Sequence, residues 1–144
     1  MPRRRRRRTK FNNQPTYDKD LGIKFRSKFE WRVAKRLEKA ELKWQFEPRV
    51  TLPGGAYCYP DFYLPDYELF IELRPAKMVD EKLISKIRTI KNTYEKEVVL
   101  CTNLQGAITF IDKLDEDRPK VNPDVVWIFE DKRGEEKSLR ELKG

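Results

Sequence analysis

Two acidic positions bracket a strand–turn–strand signal: Pro60-Asp61 on one side and Glu72-Leu73-Arg74 on the other. Between them Phe62-Tyr63-Leu64 reads as the end of one strand, Pro65-Asp66 as a turn, and Glu68 to Arg74 as a second strand. Side chains alternate along a strand, so Leu69, Ile71 and Leu73 share one face while Phe70, Glu72 and Arg74 share the other. Strands paired in this way bring Asp61 and Glu72 together. Two carboxylates on one spot repel each other unless a cation sits between them, and hard oxygen donors suit Mg²⁺ or Mn²⁺. The pattern therefore points to a metal site that cuts phosphodiesters, with Arg74 placed to stabilise developing negative charge. An ion pair on a solvated edge strand accounts for the same residues without any chemistry.

The size of the chain, 144 residues, fits one domain. With 38% hydrophobic and 39% charged residues, its core is small. The net charge of +8 is uneven: Arg3 to Arg8 and Lys10 supply seven positive charges. Residues 1–20 therefore read as a disordered basic tail, and 21–144 as the folded domain. Such a tail suits phosphate binding by counterion release, or serves solubility or targeting alone. From Lys24 to Arg49 nine Lys and Arg face four Glu, whereas Asp112 to Gly144 has ten acids against eight bases. One face of the domain is thus expected to meet a polyanion.

The absence of histidine excludes His-based nucleases, His-containing triads and the usual zinc hydrolases. Cys58 and Cys101 lack zinc-site spacing and fit a reduced, cytosolic compartment. No apolar run reaches membrane-span length, and the arginine-rich start lacks the apolar segment of a secretory signal.

Along the chain, Ser27 opens a helix running to about Ala40 with Val33, Ala34, Leu37 and Ala40 as its buried stripe. Leu42 to Leu52 reads as a strand interrupted at Pro48, Pro53-Gly54-Gly55 as a turn, and Ala56 to Leu64 as a strand broken at Pro60. A helix follows from about Asp80 to Tyr94, then a buried strand from Glu97 to Thr102. Ala107 to Leu114 reads as a helix, Asp115 to Pro123 as a polar connection, Val125 to Phe129 as a strand and Ser138 to Leu142 as a helical turn. The order implies an α/β fold, a central mixed β-sheet flanked by helices.

Glu30 falls within the buried stripe of the first helix. A bare carboxylate facing a core is costly unless it is paired. Ser27 and Glu30 form a Ser-x-x-Glu capping box, which would account for it locally. A third metal ligand is the other explanation, and the two are compatible.

Four segments together, Phe25-Arg26-Ser27-Lys28-Phe29-Glu30, Trp44-Gln45-Phe46-Glu47, Tyr59-Pro60-Asp61-Phe62-Tyr63-Leu64-Pro65 and Phe70-Ile71-Glu72-Leu73-Arg74, resemble the phage endonuclease I family. Those enzymes are Holliday-junction resolvases of the PD-(D/E)XK nuclease superfamily. The resemblance covers roughly residues 25–103, and extends less closely to transposon-end and phage head-completion nucleases. It implies a restriction-endonuclease-like core and a Mg²⁺- or Mn²⁺-dependent endonuclease acting on branched DNA. Asp61 and Glu72 would ligate the metal, with the Leu73 carbonyl as a further ligand and Glu30 as the helix-borne acid. Arg74 stands where the family has lysine; arginine keeps its charge and cannot take up a proton, so Lys77 is a candidate substitute. The resemblance also implies an intertwined homodimer in a phage-infected or host cytoplasm, or in the virion, although Pro53-Gly54-Gly55 offers a local hairpin instead of strand exchange. Arg26, Lys28, Arg32, Lys35, Arg36 and Lys43, with Lys77, are the candidate DNA-backbone contacts. Two rival readings share this pattern: a non-catalytic DNA-binding or structural phage protein on a nuclease fold, and a nuclease of linear duplex of the restriction or transposition type.

Overall fold

Ser27 starts the first helix by accepting the backbone N–H of Glu30 on its hydroxyl at 3.1 Å. This answers one of the donors that every helix leaves unpaired at its N-terminus. The structure is a computed structural model and describes residues 14–114, 125–130 and 140–143. The Arg-rich segment within 1–13 and the polar connection at 115–124 lie outside the described residues.

Two short strands come first, β1 (Thr16–Asp18) and β2 (Ile23–Phe25), paired antiparallel. Helix α1 (Lys28–Lys39) buries Phe29, Val33, Ala34 and Leu37. Then come β3 (Gln45–Phe46), β4 (Val50–Thr51), β5 (Tyr57–Cys58), β6 (Phe62–Leu64) and β7 (Leu69–Leu73). A 3-10 turn at Ala76–Met78 leads into α2 (Glu81–Tyr94), followed by β8 (Glu97–Cys101), α3 (Leu104–Asp112), β9 (Val125–Phe129) and β10 (Arg140–Lys143).

Six of these strands form one mixed sheet in the order β10-β9-β8-β7-β6-β3. Strands β7, β8 and β9 run parallel, as two crossover helices require. The outer pairs β10–β9, β7–β6 and β6–β3 are antiparallel. One face carries α1 and α3, with Val33, Leu37, Phe62, Ile71, Val99 and Phe110 among the buried residues. The other carries α2, whose Leu83, Ile87 and Ile90 pack on Phe70, Val98, Leu100 and Ile128. Strand β7 is thus sandwiched between two apolar layers, and its expected alternation holds: Leu69, Ile71 and Leu73 face α1, and Phe70 faces α2. The expected α/β class with a mixed sheet and flanking helices is observed.

Several boundaries differ from the sequence reading. Residues 16–18 belong to a hairpin rather than to the basic tail, because Gly22 turns the chain in the left-handed region at φ 69° and its N–H reaches Asp18 O at 2.8 Å. Ala40 is exposed, and Phe29 takes its place in the buried stripe of α1. The segment from Leu42 to Leu52 becomes two strands in two different sheets, since β3 joins the main sheet while β4 pairs with β5. Pro53-Gly54-Gly55 closes that local hairpin, with Val50 opposite Cys58 and both glycines at positive φ. Helix α3 starts earlier than expected, capped by Asn103, whose side chain accepts the Gly106 N–H at 2.8 Å. Gly106 belongs to the helix because the Phe129 backbone lies so close that a Cβ would sit 2.5 Å from its carbonyl oxygen. Arg140–Lys143 is a strand along β9, not a helical turn. Among the described residues no helix is long and apolar enough to cross a membrane.

Candidate active site

The register of the sheet brings the acids together. Phe62 lies opposite Ile71 in the antiparallel β6–β7 pair, so one residue further along Asp61 comes opposite Glu72. The N–H of Glu47 bonds the Asp61 carbonyl at 2.9 Å, which ties β3 to the same end of the sheet. The first turn of α1 lies over that end, and Glu30 there is near enough to Asp61 for the two carboxyl groups to act on each other. Glu30, Asp61 and Glu72 line one pocket of about 580 Å³, together with Leu73, Arg74 and Arg26. Three carboxyl groups remote in sequence therefore converge, as the sequence reading requires.

Each acid has identifiable partners. The N–H of Leu73 donates to Asp61 Oδ2 at 2.7 Å. Arg74 donates to Glu72 Oε2 at 2.6 Å. Glu30 Oε1 accepts the N–H of Arg26 at 2.9 Å, a capping box displaced by one residue from its usual donor. Glu30 thus caps the helix and faces the site at once.

Asp61 and Glu72 are only 7% and 4% exposed. Burial pushes the Asp61 carboxyl well above the usual range, and the charges of Glu72 and Glu30 add to the rise. Burial also raises Glu30, opposed by the Arg26 N–H and guanidinium. Among the described residues, no group of three or more His, Cys, Asp or Glu side chains is already spaced to hold a metal ion. The acids are instead drawn to Leu73, Arg74 and Arg26. The donor set nonetheless suits a hard divalent cation: every side-chain donor is a carboxylate oxygen, and repulsion from Glu72 is the largest charge effect on Asp61.

Two further groups, one lining the pocket and one ion-paired to the Arg26 that lines it, went unassigned in the sequence reading. Lys86 of α2 lines it and acts electrostatically on Cys58, whose thiol burial pushes up. Lys86 lies at the edge of the stripe that Leu83, Ile87 and Ile90 bury, half-buried itself. Glu47 is the other; it is ion-paired to Arg26 and sits in the left-handed region at φ 52°. For a residue other than glycine that conformation costs on the order of 1 kcal/mol. Lys77, the expected substitute for a lysine at position 74, is exposed in the 3-10 turn and does not line the pocket.

The proposed DNA contacts divide. Arg26 is paired with Glu47, Lys35 with Asp18 at 3.1 Å, and Arg36 with Asp112 at 2.8 Å. Lys28, Arg32, Lys43 and Lys77 make no salt bridge among the described residues, but Lys43 lines a separate groove beside Leu42 and Trp44. Arg26, Lys28 and Arg32 thus remain on the helix end nearest the acids.

No protein-family model matches the chain, and neither the curated proteins nor the solved structures yield a match.

Proposed function

We propose that this chain is a metal-dependent DNA endonuclease with a restriction-endonuclease-like core, selective for branched DNA. One observation carries the reading: Glu30, Asp61 and Glu72 reach a single pocket from a helix and two strands, with Arg74 and Lys86 beside them. Buried like charges are costly, and a fold that needed none would fill these positions with apolar side chains.

In this reading Asp61 and Glu72 hold Mg²⁺ or Mn²⁺, with Glu30 and the Leu73 carbonyl completing the ligand set. The ion, when bound, activates a water and neutralises charge on the scissile phosphate. The chain's own groups do the rest. Arg74 stays charged and stabilises the extra negative charge as water adds to phosphorus. Lys86 adds a second cation beside the scissile phosphate. Arg26, released from Glu47, binds a flanking phosphate. Paired cuts in a branched substrate suit a symmetric homodimer. With the β4–β5 hairpin closed locally, that dimer forms without exchanging this hairpin.

A second reading rests on the Arg74–Glu72 pair, an arginine where a lysine was expected: a structural phage protein that binds DNA on a nuclease fold without cutting it. One experiment separates the two. Four-way junction, flap and plain duplex DNA are incubated with the wild type, Asp61→Asn and Glu72→Gln, in Mg²⁺ or in EDTA. The first reading expects Mg²⁺-dependent cleavage of the branched substrates by the wild type, and binding without cleavage by both variants. Full activity in both variants would overturn it. Binding with no cleavage in Mg²⁺ or Mn²⁺ establishes the second.

A further inference from the structure

The rim of the pocket is apolar and exposed in a way the carboxylate chemistry does not use. Tyr59 and Met78 both line the pocket, yet they are 50% and 54% exposed. Tyr57, 54% exposed, lies two residues before Tyr59, and the Arg49 guanidinium sits 4.5 Å from its ring centroid. Single exposed tyrosines are ordinary. Tyr59 beside the acids, with Tyr57 two residues away on the same braced support, is less so.

The support is the β4–β5 hairpin. Val50 and Cys58 anchor it in the core under α2. The Tyr94 hydroxyl donates to Thr51 O at 2.8 Å and accepts the Thr51 N–H at 3.0 Å, so α2 also fixes its outer strand. Tyr57 and Tyr59 bracket the anchored Cys58, so their backbone positions are set although their rings are wet. Aromatic side chains held like this give contact area at low conformational cost.

Resting on the nuclease reading above, we propose that Tyr59, with Met78 and the Arg49–Tyr57 pair, is a stacking platform for an unpaired DNA base next to the cleaved phosphate. Charge favours this occupant. Arg49 covers one ring, while Arg26, Arg74 and Lys86 surround the pocket mouth, so phosphates meet cations where bases meet rings. Paired bases keep their faces covered by neighbours within the duplex. An unpaired nucleotide, at a flap, an overhang or a branch point, offers an open face. The platform therefore selects DNA by the presence of an unpaired base, not by sequence.

The test is binding in EDTA, where no cleavage occurs. Fluorescence anisotropy compares a blunt duplex with the same duplex carrying a short single-stranded overhang that contains 2-aminopurine. The wild type is expected to prefer the overhang roughly tenfold, the scale of one base stacked on one ring, and to quench the 2-aminopurine. Tyr59→Ala should lower overhang affinity to the wild type's blunt-duplex level and abolish the quenching, whereas Tyr59→Phe keeps both. Equal wild-type affinity for the two DNAs, or an undiminished preference in Tyr59→Ala, overturns the platform. A preference that is present without cleavage in Mg²⁺ leaves the platform standing and sinks the nuclease reading. Brisk cleavage with no preference does the reverse.

Discussion

The N–H of Leu73 and the carboxyl of Asp61 meet across 2.7 Å at the point where β6 and β7 leave the sheet. That bond fixes the orientation of a buried acid whose carboxyl is pushed well above its usual range. It also separates two effects that usually travel together. Asp61→Asn keeps an oxygen for the Leu73 N–H but removes a buried charge that faces Glu72 and Glu30. The variant should lose Mg²⁺-dependent cleavage and yet unfold later, with a gain on the order of 1 kcal/mol, the usual size when a strained functional site is relieved. Thermal and urea unfolding read this directly. A loss of stability would mean that the acid serves the fold and not the site.

A second buried ion belongs to the core alone. Lys91 is fully buried, ion-paired to Glu97 at 2.8 Å, and donates to the Val125 carbonyl. It joins α2 to both β8 and β9. Removing the ammonium strands the Glu97 carboxylate and that carbonyl together. Lys91→Met should therefore cost about 3 kcal/mol. Adding Glu97→Gln removes the orphaned charge and should restore a good part of that loss. Two separate, additive losses in a double-mutant cycle would show that the pair is not coupled.

The site was more legible than the path of the chain around it. Glu30 on an apolar stripe, and Asp61 and Glu72 at the ends of two neighbouring strands, are local signals, and local geometry fulfils them. What the sequence concealed is decided by partners distant along the chain. The strand signal on either side of Pro48 is continuous, yet Phe46 pairs with Phe62 and Val50 with Cys58, in different sheets. Arg140–Lys143 has polar composition because it lies at the edge of the sheet, where polar residues are the rule. Asp18 looked like part of a charged tail because its partners, Trp31 and Lys35, lie 13 and 17 residues further along the chain, in α1. Lys86 was given no role, because nothing local to α2 shows that its side chain reaches the pocket of the acids.

Helix α2 ends on a residue poorly suited to its backbone. Glu95 adopts φ 55°, ψ 39°, the left-handed cap conformation, and its N–H bonds Lys91 O at 2.8 Å. Glycine enters that region without the Cβ penalty. Glu95→Gly should stabilise the fold by roughly 0.5–1 kcal/mol, raising the denaturation midpoint without altering DNA binding. A lower midpoint would show that the Glu95 side chain contributes more than its backbone strain costs.

Besides the packing of Phe25, one carboxylate ties the hairpin β1–β2 to α1, and pH can loosen that tie. Asp18 Oδ1 accepts the Leu21 N–H at 3.0 Å, while Oδ2 accepts Trp31 Nε1 at 2.9 Å and pairs with Lys35 at 3.1 Å. The Trp31 bond first, then the Leu21 N–H and Lys35, against some desolvation, lower this carboxyl to about 2. Its unfolded value is about 3.9. A carboxyl depressed in the folded state stabilises it above the unfolded value and loses that contribution as pH falls through the folded one. The window is therefore about pH 4 down to about pH 2. Asp18→Asn cannot titrate there. The stability difference between wild type and Asp18→Asn should be constant above pH 4 and shrink steadily toward pH 2. Urea unfolding followed by tryptophan fluorescence checks it, since Trp31 reports the contact itself. A difference that stays flat across that window would mean that Asp18 holds the hairpin by shape and hydrogen bonding alone, with no contribution from its charge.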